Sequence, residues 1–174
     1  RRIAERMVES VFTAPHVTAM DEVDVTELVA LRARLQQHLE GRGVHLTYLP
    51  FIIRAVISGL KAYPYMNASL DASTQEIVLK KAYHIGIAVA TQDGLLVPVV
   101  RHADTLSLFE LARELDRLAT EARARRLPRE ELQGSTFTIS NYGAFGGLFA
   151  TPLINPPEVA ILGVGRIQEK PVVR

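Results

Sequence analysis

The strongest chemical candidate in this 174-residue sequence is the adjacent pair Ser140 and Asn141. The pair closes a stretch of alternating polar and apolar residues that begins at Thr136, a pattern typical of a strand with one face on a core. A hydroxyl and an amide side by side at a strand end can donate hydrogen bonds to a developing oxyanion. No Gly-x-Ser-x-Gly motif surrounds Ser140, so the residues favour a donor serine over a nucleophilic one. The alternative is a serine and an asparagine that only turn the chain.

The histidines offer no metal site, because none has the His-Glu-x-x-His spacing or a comparable arrangement with Asp or Glu. There are five of them: His16, His38, His45, His84 and His102. For each one the sequence favours a solvated or capping role. His16 is the least ordinary, since it follows Pro15 at the start of a predicted strand.

Two other patterns have structural explanations that the sequence favours over a binding site. The glycine-rich segment 143–147 lacks the Lys-Ser/Thr ending of a phosphate loop and does not match the dinucleotide pattern, so it predicts a flexible turn. Arg123, Arg125 and Arg126 close a predicted helix, where pairing with the helix dipole is favoured over an anion site.

The elements that must position these residues alternate between helices and strands. Leucine stripes and proline positions predict helices over residues 1–12, 24–41, 47–63, 107–126 and 128–134. Stretches of β-branched or alternating residues predict strands over residues 16–25, 76–80, 85–91, 95–100, 136–140 and 159–164. This order predicts a two-layer α/β or α+β domain.

Local signals mark several helix starts. Asp24 with Glu27, and Ser107 with Glu110, each have the spacing of a capping box. Thr47 can cap the third helix, whose first turn tolerates the proline that follows.

Turn and strand signals mark other boundaries. Gly41 predicts the end of the second helix, and Asp93 with Gly94 predicts a hairpin turn. The uninterrupted apolar run 159–164 predicts a strand covered on both faces.

Composition excludes several classes of function. With 48% hydrophobic and 22% charged residues, the chain is typical of a globular domain, and no apolar run approaches the ~20 residues that span a bilayer. A net charge of +1 is too balanced to indicate nucleic acid or an anionic membrane as a partner. The absence of cysteine excludes disulfides, Cys-based zinc sites and a cysteine nucleophile, and is compatible with a reducing compartment such as the cytoplasm.

Five stretches of the sequence match one family of enzymes. Residues 15–24, 67–69, 85–98, 134–141 and 151–165 resemble the catalytic domain of the dihydrolipoyl acyltransferases of 2-oxo acid dehydrogenase complexes. The resemblance runs from residue 1 to residue 174 in one register, and its details are closest to the acetyltransferases of bacterial pyruvate dehydrogenase complexes.

The resemblance implies a chloramphenicol-acetyltransferase-like fold, a two-layer α/β sandwich, with residues 1–174 in a single catalytic domain. It implies acyl transfer, with acetyl as the expected group, between a dihydrolipoyl arm and coenzyme A, without a metal. The implied partners are a separate lipoyl domain, the other components of the complex, and further copies of the chain in trimers that build a hollow core. Neither nucleic acid nor a membrane is implied, and the expected location is the bacterial cytoplasm.

The resemblance also assigns site residues. Ser140 matches the serine whose hydroxyl stabilises the tetrahedral oxyanion. Positions near bound coenzyme A match six residues here: Arg32, Thr47, Ser140, Asn141, Gly165 and Ile167. For Arg32 and Thr47 the alternatives are a solvated helix arginine and an N-cap threonine. Ala90 matches a position where some relatives carry an Asp near the cofactor.

One departure from the family pattern concerns the general base. The family places it on a histidine in an Asp-His-Arg-x-x-Asp-Gly motif, which reaches the serine of a neighbouring subunit and is absent from these residues. Since the chain begins at Arg1 and stops at Arg174, we expect a catalytic domain incomplete at its C-terminal end, with at most slight activity alone. The alternative is a non-catalytic core or binding component with the same fold.

Overall fold

The structure, a computed structural model, describes residues 2–39, 43–71, 73–92 and 94–171. The α-helices within these ranges are Arg2–Thr13 (α1), Thr26–His38 (α2), Leu49–Ala62 (α3) and Leu108–Arg123 (α4). Short 3-10 helices lie at Pro64–Met66, Arg129–Leu132 and Gly143–Phe145. In this part of the chain, no helix has both the length and the apolar character needed to cross a membrane.

The strands in the same ranges form one main sheet and two ribbons. They are Ala68–Asp71 (β1), Glu76–Leu79 (β2), Ile85–Ile87 (β3), Val89–Thr91 (β4), Gly94–Leu96 (β5), Val99–Val100 (β6), Phe137–Asn141 (β7) and Ile161–Val164 (β8). The main sheet has the order β6-β3-β7-β8. Its strands β3, β7 and β8 are parallel, and β6 is antiparallel to β3. The ribbons β1-β2 and β4-β5 are antiparallel.

Helices α3 and α4 cover one face of the main sheet. On α3, Ile53, Ile57 and Leu60 recur at helical spacing and are buried. They belong to one apolar cluster with Phe137 and Ile139, which alternate along β7 and therefore point to the same side of the sheet. The buried leucines of α4 complete this cluster. The helix layer packed on a sheet layer confirms the predicted mixed helix and sheet architecture.

The start of α4 confirms its predicted capping box. The Ser107 hydroxyl oxygen accepts from the backbone N–H of Glu110 at 3.3 Å, and the Glu110 carboxylate accepts from the backbone N–H of Ser107 at 2.7 Å. Two backbone donors that the first helical turn cannot satisfy are thereby paired.

The capping box predicted for α2 is wrong. The helix begins at Thr26, and its N-cap residue Val25 makes no side-chain capping bond. Asp24 instead accepts, through one carboxylate oxygen, from the backbone N–H of Thr26 at 3.0 Å and from its hydroxyl at 2.6 Å. This local turn places the carboxylate one residue too early to cap the helix.

The strand predicted over residues 16–25 is also wrong, since the segment is irregular. Val17 is 97% exposed and Val23 is 77% exposed, so its apolar side chains face no core among the described residues. The β-branched pattern favours extended backbone, but within the described ranges no strand pairs with the segment.

Other strand predictions are partly right. The strand predicted over 85–91 is divided into β3 and β4, and β8 begins at Ile161 with four half-buried residues rather than a strand covered on both faces. The polar strand β1 was not predicted. The sequence of β1 has no strand pattern of its own, and the strand forms because its backbone pairs with β2, where Ala68 lies opposite Leu79. The predictions at Gly41 and Asp93 fall outside the described residues.

Candidate active site

Ser140 lies near the carboxyl end of β7, between the parallel strands β3 and β8. Because side chains alternate along a strand, Ser140 shares the face of Thr138, while Ile139 points into the core. The Ser140 side chain is half-buried, and its hydroxyl has no hydrogen-bond partner in the described parts of the chain. The structure therefore presents an uncommitted hydroxyl at a strand end, as an oxyanion donor requires.

The turn after β7 is built by close backbone contact. Asn141 accepts through Oδ1 from the backbone N–H of Gly143 at 3.2 Å, and Tyr142 donates its N–H to the carbonyl of Val164 at 3.0 Å. A Cβ on Gly143 would lie 2.3 Å from the carbonyl oxygen of Gly165, so this position admits only glycine. The predicted turn is present, but at Gly143 it is packed closely on the residue after β8 rather than being an open, flexible turn.

A cavity of about 540 Å³ lies beyond the carboxyl ends of β3 and β7. Its walls come from the segment before α3, the β3-β4 junction, one side of α4 from Ala112 to Arg123, and the turn after β7. Polar or charged residues in the lining include His45, Thr47, Asp116, Arg123 and Asn141. Ends of parallel strands are a common place for ligand sites in α/β proteins.

The predicted cofactor residues Thr47 and Asn141 both line this cavity, and so does Ala90. Thr47 does not cap α3, whose N-cap residue is Tyr48, so the alternative of an N-cap threonine is wrong. Because the Asn141 Oδ1 is held by the turn, its amide N–H₂ group remains available as a donor.

Arg32 contacts the segment before α3 that forms one wall of the cavity. Its Nε donates to the carbonyl of Leu46 at 2.7 Å, and its guanidinium lies 5.6 Å from the ring centroid of Tyr48, a residue of the lining. The alternative of a solvated helix arginine is therefore wrong.

Ser140, Gly165 and Ile167 are not part of the cavity lining. Gly165 follows β8 and packs against the backbone of Leu148, since a Cβ there would lie 2.7 Å from the Leu148 carbonyl oxygen. Ile167 is exposed beyond it. The structure thus separates the predicted residues into a cavity wall and a strand-end group that contains Ser140.

A second depression of about 580 Å³ is lined by Glu110, Arg113, Glu114 and Arg117 of α4 among others, and contains none of the predicted site residues. Its central cation is paired, since Arg117 bonds to Glu114 and Glu131 of the same lining. We therefore place the candidate site at the strand ends.

Sequence reasoning missed a buried polar cluster on the Ser140 face of β7. Glu158 is 6% exposed, and its Oε1 accepts from Ser135 at 2.5 Å, Thr138 at 2.9 Å and Asn155 at 3.0 Å. Burial raises the pKa of Glu158 above its ordinary value, against the opposing effect of these three donors. The sequence feature that could have predicted this buried carboxylate is the position of Glu158 directly before the apolar run 159–164.

The side chains of His16, His38 and His84 make hydrogen bonds to the backbone, while His45 lines the cavity. His16 donates from Nδ1 to the carbonyl of Ala14 at 2.7 Å and accepts at Nε2 from the N–H of Ile154 at 3.0 Å. His38 bonds to a helix carbonyl, and His84 accepts at Nδ1 from the N–H of His102 at 3.0 Å. None of them is hydrogen-bonded to Ser140 within the described chain. Over the same residues, no cluster of three or more His, Asp or Glu side chains could hold a metal ion.

The chain belongs to the family of the 2-oxoacid dehydrogenases acyltransferase (catalytic domain), whose model matches residues 1–174. This confirms the family predicted from the sequence.

Curated relatives of this chain are acetyltransferases. The chain is 52% identical over 174 residues to the dihydrolipoyllysine-residue acetyltransferase component of the pyruvate dehydrogenase complex of Bacillus subtilis, covering 100% of this chain and 39% of that protein. The chain therefore spans about two fifths of the length of the curated relatives it matches.

Solved structures agree with the fold. The dihydrolipoamide acetyltransferase of Azotobacter vinelandii superposes with a TM-score of 0.96 and 45% identity, covering 99% of this chain and 71% of that one. That structure comes from an investigation of a serine, a histidine and an asparagine in the catalytic mechanism. The cubic core of a pyruvate dehydrogenase multienzyme complex gives a TM-score of 0.95 at 44% identity, with coverage of 99% and 71%.

Proposed function

We propose that this chain is the acyl-transferring domain of a dihydrolipoyl acetyltransferase, which moves acetyl groups between dihydrolipoyl-lysine and coenzyme A. The observation that carries the proposal is the uncommitted hydroxyl of Ser140 at the carboxyl end of β7, in a chain of this family. Relatives named as acetyltransferases favour this function over a non-catalytic core component.

The proposed reaction exchanges one thioester for another. The coenzyme A sulfur attacks the carbonyl carbon of the acetyl-dihydrolipoyl thioester, and the carbonyl electrons move to oxygen as a tetrahedral oxyanion forms. Ser140 donates its O–H to that oxyanion, a bond that is stronger in the transition state than in the ground state. Collapse breaks the bond to the dihydrolipoyl sulfur, which takes up the proton released by the coenzyme A thiol.

The proton transfer needs a general base, which the family resemblance places on a histidine of a motif that these 174 residues do not contain. General-base catalysis contributes about 10²–10⁴-fold, so Ser140 supplies one part of the rate enhancement.

We assign coenzyme A to the wall formed by Thr47 and Asn141, with Arg32 supporting it and with Gly165 and Ile167 near the strand ends. The amide N–H₂ group of Asn141 and the hydroxyl of Thr47 suit the amide carbonyls of a pantetheine arm. The lipoyl group would arrive on a separate lipoyl domain of the complex. We propose the cytoplasm as the location of the protein.

We also infer the finer fold and the assembly. The helix layer on a mixed sheet is the arrangement expected of a chloramphenicol-acetyltransferase-like sandwich. The β1-β2 ribbon exposes Leu70, Ile77 and Leu79 on one face, a patch that a monomer rarely leaves uncovered. This patch, and the likeness to a cubic core, support a homo-oligomer built from trimers.

The test is acetyl transfer by the full-length protein from acetyl-coenzyme A to dihydrolipoamide, followed as formation of S-acetyl-dihydrolipoamide by chromatography. Turnover with acetyl, and a lower kcat/KM with a branched acyl-coenzyme A, is expected. A folded, assembled protein without turnover would overturn the proposed activity. Light scattering of the same sample tests the assembly, which a monomeric mass would contradict.

A further inference from the structure

We propose that Glu158 is a positioning residue for Ser140, an inference that rests on the proposed function. Glu158 contacts neither the hydroxyl of Ser140 nor the cavity. Its hydrogen bonds nevertheless link β7, the strand on which Ser140 lies, to the segment that precedes β8. It acts by fixing where β7 and β8 meet.

Three donors converge on one oxygen of Glu158. Ser135 and Thr138 come from β7 and the residues before it, and Asn155 comes from the loop that also carries Glu158. Donors to a carboxylate form stronger hydrogen bonds than donors to a neutral group, and burial removes water as a competitor. Thr138 is two residues before Ser140, so the anchored hydroxyl and the proposed donor share one strand face.

The register of β8 needs such an anchor. β8 has four residues, all half-buried, and it pairs within the described chain only with β7, where Gly163 lies opposite Ser140. A short, glycine-containing edge strand has a weakly specified register, and a slip by one residue would change every facing pair. Glu158, three residues before β8, binds β7 directly and so limits that slip.

The loop that carries Glu158 is itself held on its other side. The Ser10 hydroxyl donates to the carbonyl of Ile154 at 2.6 Å, and His16 accepts from the N–H of the same residue. A backbone bridge pairs Glu158 with Ser69 of β1. With its surroundings held, a change at Glu158 is transmitted to β7 rather than absorbed by the loop.

The second carboxylate oxygen of Glu158 is buried and has no hydrogen-bond partner in the described chain. An unpartnered buried acceptor destabilises the folded state, so stability alone gives no reason to place a carboxylate here. A carboxylate at this position is explained if its bonded oxygen, Oε1, serves to fix the position of β7 relative to β8.

The experiment measures kcat and KM of the full-length protein with Glu158→Gln. Gln keeps the side-chain volume and one acceptor oxygen but removes the charge, which weakens all three bonds. We expect kcat to fall about tenfold while KM for both substrates is unchanged, because small misplacements act on the transition state. In the Ser140→Ala background, Glu158→Gln should cause no further loss, since there is no donor left to position.

Two more variants complete the test. Thr138→Val keeps the side-chain shape and removes one donor, so it should lower kcat in the same Ser140-dependent way even if Glu158→Gln fails to fold. Glu130→Gln, an exposed glutamate in the 3-10 helix Arg129–Leu132, is the matched control and should leave kcat unchanged.

The outcomes separate the two proposals. An inactive unmodified protein contradicts the proposed function itself. An active protein in which the Glu158 and Thr138 variants keep full kcat, or lose equal factors with and without the Ser140 hydroxyl, overturns the positioning role alone.

Discussion

Ser140 of β7 pairs in register with Gly163 of the parallel strand β8, and a side chain at position 163 would collide with the neighbouring aromatic ring. An added Cβ on Gly163 would lie 2.8 Å from Cε1 of Tyr142. The ring of Tyr142 therefore lies across β8 where the strand passes Ser140. Only a residue without a side chain fits opposite the serine while the ring keeps this place.

Removal of the Ser140 hydroxyl tests the oxyanion role. Ser140→Ala in the full-length protein should lower kcat by about 10²–10³-fold, the usual effect of losing one oxyanion donor, with little change in KM. Steady-state acetyl transfer measures both constants. Ser73→Ala, on the exposed turn of the β1-β2 ribbon, serves as the control, and an equal loss there would argue against a specific role for Ser140.

A second prediction concerns Gly86 of β3, which faces the same polar cluster. A Cβ there would lie 2.8 Å from the Thr138 hydroxyl oxygen and 2.9 Å from Cγ1 of Val97. Gly86→Ala should therefore destabilise the fold by about 1–3 kcal/mol through overpacking. Denaturant unfolding gives the free energy.

Gly59 of α3 provides the matched control for this substitution. Nothing lies within 4 Å of a Cβ built on it, and it is exposed in a helix. Gly59→Ala should stabilise the protein by about 0.5–1 kcal/mol through helix propensity. Opposite signs for the same chemical change are expected, and a stabilising Gly86→Ala would disprove the close packing.

The features that sequence alone predicted are those whose causes lie close together in the chain. The capping box of Ser107 and Glu110 spans one helical turn, and the alternation that ends at Ser140 spans one strand, so both were visible. In the Glu158 cluster, Ser135 and Thr138 lie twenty or more positions before Glu158, so no local sequence pattern predicts their hydrogen bonds.

The failed strand predictions have the same physical origin. A strand exists only where a partner offers backbone hydrogen bonds, so β-branched residues 16–25 stay irregular while the polar residues of β1 pair with β2. The cavity wall was predicted only in part. Thr47 and Asn141 came from the family resemblance, whereas the support that Arg32 gives through Leu46 is a tertiary contact.

The capping box of α4 gives a third prediction. Ser107→Ala removes the acceptor for the Glu110 N–H and should lower the free energy of unfolding by about 0.5–2 kcal/mol. Ser107→Asp keeps an acceptor at the N-cap and should restore most of the loss. Thermal or denaturant unfolding compares the three proteins, and equal stability of all three would contradict the cap's contribution.

The fourth prediction is a dependence of stability on pH through His84. Burial, and then the nearby charges of His102 and Arg101, lower the pKa of His84 below its ordinary value of 6.5. Its Nδ1 accepts from the His102 N–H, a bond that a proton on Nδ1 would abolish. The unfolded chain therefore binds this proton more tightly than the folded one, so the contribution of His84 is fully present above the ordinary pKa and is lost as pH falls below it.

His84→Asn isolates this contribution, because the Asn oxygen can accept the same N–H and does not titrate. The free energy of unfolding of the unmodified protein, measured relative to His84→Asn, should decrease as pH is lowered from about 7.5 to about 5 through the histidine range. The sign follows from the direction of the pKa change alone. A difference that stays constant, or that increases as the solution becomes acidic, would mean that the folded protein does not disfavour protonation of His84.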